Sequence, residues 1–117
     1  MPHTFEEEVY ALHSRLCGGL ADSKRILMLY SLADRSRNVT ELSEELNIPQ
    51  PTVSRHLRNL RERGMVVTQR RSQSVYYSVS DPRIIQALDL LRAVLGDLLA
   101  NQASLARSVE ELSRDDA

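Results

Sequence analysis

Seven residues between positions 50 and 59 have types and spacing suited to reading DNA: Gln50, Thr52, Ser54, Arg55, His56, Arg58 and Asn59. Short hydroxyls and amides donate and accept at base edges, and arginine reads guanine or grips phosphate. Val53, Leu57 and Leu60 interleave with them at helical spacing, so the helix turns its apolar face inward and its polar face outward. The bland reading of such a face is a solvated helix surface. The segment around it argues otherwise. NVTELSEELNIPQPTVSRHLRNLRERG, residues 38–64, reads as two helices joined by a tight turn, with Leu42, Leu46 and Ile48 as further apolar positions. That is the layout of a helix-turn-helix whose second helix enters the major groove.

The elements that must position these residues follow from period and punctuation. Residues 5 to about 18 place Phe5, Val9, Leu12 and Leu16 on one helical face, and Gly18 and Gly19 are expected to break or loosen that helix. Asp22 is an N-cap for a second helix to about Ala33, with Ile26, Leu27, Leu29 and Tyr30 inward. Residues 34–38 read as a polar loop. Thr40 is expected to cap a third helix ending near Asn47, Ile48-Pro49 forms the turn, Pro51 sits in the first turn of the fourth helix, and Gly64 stops it. Residues 65–79 then change to a two-residue period, a hairpin or wing with Arg71 to Ser74 at its tip and Val75, Tyr77 and Val79 along one face. The tip lacks the Gly or Asn of a tight turn, which predicts a longer, mobile loop. Thr40, with Arg70, Arg71 and Gln73 on the wing, completes the candidate DNA-binding set. Arg70 and Arg71 suit phosphate contact, their bland role being hairpin solubility. Tyr76 and Tyr77 read as packing residues, stacking on single strands being the lesser option.

Asp81-Pro82 opens a final helix over 82–112. Its apolar positions, Ile84, Leu88, Leu91, Leu95, Leu98, Leu105, Val109 and Leu112, step by four and three, with Gln102 as one polar interruption. That is a heptad seam. Gly96 is a weak point within it. Gln102 could set register or lie in solvent beyond the interface.

The chain has 117 residues and a net charge of −1. This size fits a single domain over 1–117 with a modest core, one that gains from association. The near-neutral total conceals a local stripe: residues 50–73 carry arginines 55, 58, 61, 63, 70 and 71 against one acid, Glu62. The acids collect at 6–8, 41–45 and 110–116, so a basic footprint survives on a neutral chain. The one cysteine, Cys17, closes no internal disulfide, which fits a reducing compartment. No signal peptide is visible and no uncharged apolar run reaches 18 residues. The expected location is cytoplasmic, with no membrane partner.

Several residues admit two readings. His56 could touch DNA or make a structural hydrogen bond, and it lacks a second metal ligand at suitable spacing. His13 and Cys17 share a helix face. With His3 or an acid from Glu6 to Glu8 they form a weak metal candidate. Otherwise Cys17 is a small buried hydrophobe. No cofactor is expected.

LCGGLADSKRILML (16–29), ELSEELNIPQPTVSRHLRNLRERGMVV (41–67) and VYYSV (75–79) resemble the ArsR/SmtB family of winged-helix repressors over roughly residues 12–98. The resemblance implies a mainly α fold with a small β-hairpin: a winged helix-turn-helix of five helices plus wing, with a long C-terminal dimerisation helix. It further implies a homodimer through the first and last helices, with Leu12, Leu16, Leu88, Leu91, Leu95 and Leu98 as interface candidates. A palindromic double-stranded operator would be the partner, released when an effector binds. Two departures stand out. The stretch where metal-sensing members carry a cysteine pair is Glu41-Leu42-Ser43-Glu44, and no histidine follows His56. The usual metal sites are thus missing their donors, and both the identity of an effector and constitutive binding without one stay open.

The leading function is a dimeric sequence-specific repressor. Its rival is a winged-helix protein-interaction module that uses the heptad helix. A docking face should expose apolar side chains, whereas the 50–59 face exposes arginine, hydroxyls and amides. An enzyme ranks third, since no nucleophile-base pair or phosphate loop is present.

Overall fold

The computed structural model describes residues 4–115. His3 and Asp116 lie outside the described residues. The chain divides into two compact units, residues 1–85 and 86–117.

In the first unit, α1 begins as a regular helix over Phe5–Ala11. Thr4 caps it, its hydroxyl accepting from the Glu7 amide at 3.1 Å. Glu6, Glu7 and Glu8 occupy the first turn, where acids suit the helix dipole. The helix then widens into a π-helical turn over Leu12–Cys17 and closes with one α turn over Gly18–Leu20. Of the two expected outcomes at the glycines, a break does not occur: Gly18 keeps helical angles (φ −60°, ψ −35°) and the helix, widened just before it, runs on to Leu20. The glycines serve close packing instead of termination. A Cβ at Gly19 would stand 2.5 Å from the Met65 sulfur.

Helix α2 spans Ser23–Asp34. The Asp22 carboxylate accepts from the amides of Lys24 (2.8 Å) and Arg25 (3.4 Å), as expected of an N-cap. Its inward face includes the expected Leu29, with Ile26 and Tyr30 half-buried, and departs from the expectation at Leu27. Met28, Leu29, Ser31 and Leu32 are buried, and Leu27 is 54% exposed. The nearly continuous apolar run 26–32 leaves the phase of the helix open, and packing against α3, α4 and the wing sets it.

Helix α3, Val39–Leu46, is capped by Asn38 and not by Thr40. The Asn38 side chain accepts from the Glu41 amide at 2.8 Å, and Glu41 accepts from the Asn38 amide at 3.0 Å, a reciprocal capping box. Asn47 then adopts φ +53°, a left-handed stop that asparagine tolerates. The Ile48 amide bonds Ser43 O at 3.1 Å, and the Ser43 hydroxyl donates to Ile48 O at 2.6 Å. These contacts fix the turn into α4, Gln50–Glu62. Gly64 follows with φ +78°.

Strands β1 (Val66–Arg71) and β2 (Ser74–Val79) pair antiparallel, from Val66 with Val79 to Arg71 with Ser74. Only Ser72 and Gln73 join them, so the expected long loop is instead a tight two-residue turn. Ser72 supplies the left-handed conformation itself, at φ +57°. The hairpin is anchored at its base. Arg37 and Tyr77 exchange backbone hydrogen bonds of 3.1 and 2.8 Å, adding a one-residue third strand. The core gathers Met28, Leu29, Leu32, Leu42, Ile48, Val53, Leu57, Leu60, Met65 and Val66.

Helix α5 spans Arg83–Asp115 and runs into the second unit. Asp81 receives the Arg83 amide at 2.9 Å and its guanidinium at 2.7 Å. The Arg83 hydrogen bond holds the Asp81 carboxyl down at about 2. Leu91, Leu95, Leu98, Leu105, Val109 and Leu112 are each more than half exposed, whereas Leu88 is 5% exposed.

Candidate nucleic-acid interface

Helix α4 presents two faces of opposite character. Val53, Leu57 and Leu60 are fully buried, which fixes the rotation of the helix. Gln50, Ser54, Arg55 and Arg58 consequently point to solvent, with Thr52, His56 and Asn59 partly covered at the margin. Pro49 caps the helix without a side-chain hydrogen bond, and its carbonyl accepts from the Thr52 and Val53 amides at 3.0 and 3.1 Å. Gln50 thus stands at the exposed first turn. Arg55 bonds only weakly within the chain, its Nη2 lying 3.3 Å from Thr52 Oγ1.

The wing supplies a second set. Arg70, Arg71 and Gln73 are exposed. The Arg71 guanidinium lies 4.9 Å from the Tyr76 ring centroid and donates to Gln69 Oε1 at 3.1 Å. A cation held over an aromatic face keeps its charge at low conformational cost. Thr40, in the first turn of α3, is also exposed.

His56 and Asn59 carry structural bonds as well. Arg25 Nη1 lies 3.4 Å from His56 Nδ1, and Asp22 lies 3.9 Å from Nε2. Burial, with the cations Arg25, Lys24 and Arg55, outweighs the Asp22 carboxylate and holds the imidazole below its ordinary pKa. A neutral ring can accept from Arg25. Burial of Asp22 itself is more than offset by the Lys24 and Arg25 amides, which keep that carboxyl low. Asn59 accepts from Arg63 Nε at 2.8 Å.

Three arginines, of which only Arg63 belongs to the basic stripe of the sequence, prove to be structural. Arg37, expected in a solvated loop, is 8% exposed. It donates to Ser31 O at 3.1 Å and pairs with Glu45 at 2.9 Å and Asp34 at 3.1 Å. Arg25 and Arg63 bind main-chain carbonyls of α1. The glycine pair was the available signal, since adjacent glycines inside a helix mark a close approach. Nothing in the local pattern of 34–38 marks Arg37.

Cys17, one of whose readings was a buried hydrophobe, is exposed. It lies on the π-helical turn, where Leu12 is exposed and Leu16 half-buried. Among the described residues, no third histidine, cysteine or acid joins it and His13 into a group able to hold a metal. No helix of the described residues is long and apolar enough to cross a membrane.

A helix-turn-helix with a buried-faced second helix, followed by a short paired hairpin, defines the winged helix-turn-helix class. The model of the bacterial regulatory proteins of the arsR family matches residues 22–68. The HTH-type transcriptional regulator KmtR of Mycobacterium tuberculosis is 40% identical over 67 residues, 57% of this chain and 52% of KmtR. The chain therefore spans about half the length of that relative. The HTH-type transcriptional regulator Rv0081 of the same organism is 31% identical over 100 residues, 85% of this chain and 88% of that protein. Its crystal structure superposes with a TM-score of 0.73 over 81% of this chain and 96% of that one. NolR from Sinorhizobium fredii superposes at 0.69, with 30% identity, over 82% and 97%. The chain belongs to the arsR family of bacterial transcriptional regulators.

Proposed function

We propose that this chain is a homodimeric, sequence-specific repressor that binds a two-fold operator in the cytoplasm. The observation that carries the reading is the outward face of α4. Gln50, Ser54, Arg55 and Arg58 are exposed on a helix whose other side is fully buried, with Arg70 and Arg71 exposed on the following wing. Such a face can place hydroxyls, amides and guanidiniums on base edges while the wing takes phosphate. Dimerisation is supported by apolar surface left open in each unit: Phe5, Val9 and Leu12 on α1, and Leu91, Leu95 and Leu98 on α5. A family name shared with transcriptional regulators supports the same reading.

The two familiar metal sites lack their donors, because α3 offers no thiol and α5 no histidine, so any effector would act elsewhere. No cofactor is needed for the proposed activity. The exposed α5 seam also suits a second reading, a protein-interaction module. Selection and sequencing of DNA fragments bound by the purified protein, alongside sedimentation, tests both. A palindromic motif recovered by a dimer supports the repressor. A folded monomer at micromolar concentration with no motif overturns it.

A further inference from the structure

The end of α1 is gripped by two arginines from different helices. Arg63, the residue that ends α4, donates through Nη1 to the carbonyl oxygens of Ser14 and Arg15, the second at 3.1 Å. Both carbonyls lie in the π-helical turn. Arg25 of α2 donates through Nη2 to Gly18 O at 3.1 Å and through Nε to Gly19 O at 2.8 Å. A carbonyl oxygen has two lone pairs, so a guanidinium can bond it beside any amide the helix itself supplies, as at Gly18 O, which also accepts from the Ala21 amide. Arg25 holds α1 at the glycine pair. Arg63 holds it one turn earlier, upstream of that pair.

The two grips have different consequences. If Arg25 alone held the helix, the glycines would be its attachment and residues 5–17 could swing about it. Arg63 removes that freedom and refers the direction of α1 to the last turn of the recognition helix. Its Nε is at the same time fixed by Asn59 Oδ1 at 2.8 Å, one turn back along α4. Gly18 is what makes room: a Cβ there would stand 2.6 Å from Arg63 Nη1. That clash is with the far end of a flexible side chain, so alanine could enter by displacing the guanidinium, not by disturbing the backbone.

We propose that Arg63 is a positioning residue for operator binding, a tie that sets the angle between α1 and the recognition helix, with Gly18 as the space it requires. The proposal rests on the reading of α1 as a dimer helix. In a two-fold dimer, that angle decides where the two recognition helices point. Each base pair inserted between half-sites rotates one of them by about 35° relative to the other, given about 10.5 base pairs per turn. A stiff tie makes binding selective for one spacing, and a cut tie lets the heads adapt.

The test measures affinity for a series of operators whose half-site spacing changes by one base pair in either direction. Wild type should lose at least about tenfold off its optimum, a coupling of ordinary allosteric size. Arg63→Ala should lose no more than about threefold, a flattened profile, and Arg63→Lys should restore part of the selectivity. Gly18→Ala is the decisive variant. It raises helix propensity, so thermal stability should hold or rise while the spacing profile flattens as in Arg63→Ala. In the double variant the two changes should not add, because both remove the same contact. An unchanged spacing profile in Gly18→Ala and Arg63→Ala, with wild type selective, overturns the tie and leaves the repressor reading intact. If wild type shows no specific DNA binding, the repressor reading fails instead, and amide exchange decides the tie alone. Arg63→Ala should then raise exchange in residues 12–17 and 59–63 together, and exchange rising in only one of the two segments overturns it.

Discussion

The outer face of α4 with its wing and the inner seams, of α1 with α2 and α4 and of α2 with α3, are both rich in arginine, and they use it in opposite ways. On the outer face, Arg55, Arg58, Arg70 and Arg71 are exposed and loosely engaged. At the back, Arg25, Arg37 and Arg63 are bound to carbonyls and carboxylates of their own chain. A guanidinium carries five donors in a fixed fork. Where the fold fills that fork, the residue is part of the architecture. Where the fork is open to solvent, it is available to a ligand. Net charge along the sequence does not separate these cases, because Arg61 and Arg63 belong to the same stretch and differ only in what lies beside them.

Changing salt should separate the two regions most sharply. If a dimer makes roughly 6–10 phosphate contacts, operator affinity should fall by about 10³–10⁵ between about 50 and 200 mM salt. The melting temperature should barely move, since the back arginines are short-range, partly buried partners that salt screens little. Arg55→Ala should cost about 1–3 kcal/mol of binding if it reads a base, with stability unchanged. Binding titrations of wild type and Arg55→Ala at two salt concentrations, with melting curves of both, check this, and a stability loss equal to the binding loss would sink the assignment.

Arg37→Ala should behave in the reverse manner. It takes the guanidinium from the Ser31 carbonyl and from Glu45, which keeps only the Ser31 hydroxyl at 2.8 Å, and breaking a buried pair costs about 3–5 kcal/mol. Glu45 is 40% and Asp34 75% exposed, which allows water to replace part of the loss, so about 2 kcal/mol is expected. Denaturant unfolding measures it. Once folded, the variant should bind operator with wild-type affinity.

His56 lies on the border between the regions, and pH probes it. Its folded pKa is depressed by burial and neighbouring cations, so the unfolded chain takes up the proton first as pH falls. Stability from this group is complete above the ordinary histidine value and declines as pH drops through the folded one. Melting temperatures should therefore fall between about pH 7.5 and 5.5 more in wild type than in His56→Gln. An identical decline in both assigns the loss to other groups.

The smallest effect concerns the wing tip. A left-handed serine costs about 1 kcal/mol, and glycine returns about half of that through the freer unfolded chain. Ser72→Gly should thus stabilise by about 0.5 kcal/mol, seen as slower amide exchange in β1 and β2. Operator affinity should not change, because residue 72 supplies no cation.

Period and capping alone marked out the helix-turn-helix, the wing and the last helix. The apolar spacing of Val53, Leu57 and Leu60 orients α4, and that in turn exposes Gln50, Ser54, Arg55 and Arg58. Local chemistry was less decisive where two residues compete. Asn38 takes the cap from Thr40 because it completes a box with Glu41. Ser72 forms a tight turn without glycine because strand pairing up to Arg71 and Ser74 offsets the strain. What only the tertiary structure decided concerns long-range partners: the burial of Arg37 between α2 and α3, the phase of α2, and the continuation of α1 through Gly18 and Gly19. Sequence periodicity reports which face of an element is apolar. It carries no record of which distant carbonyl or carboxylate will stand beside a given arginine, and here that partner separates a structural cation from one that can meet DNA.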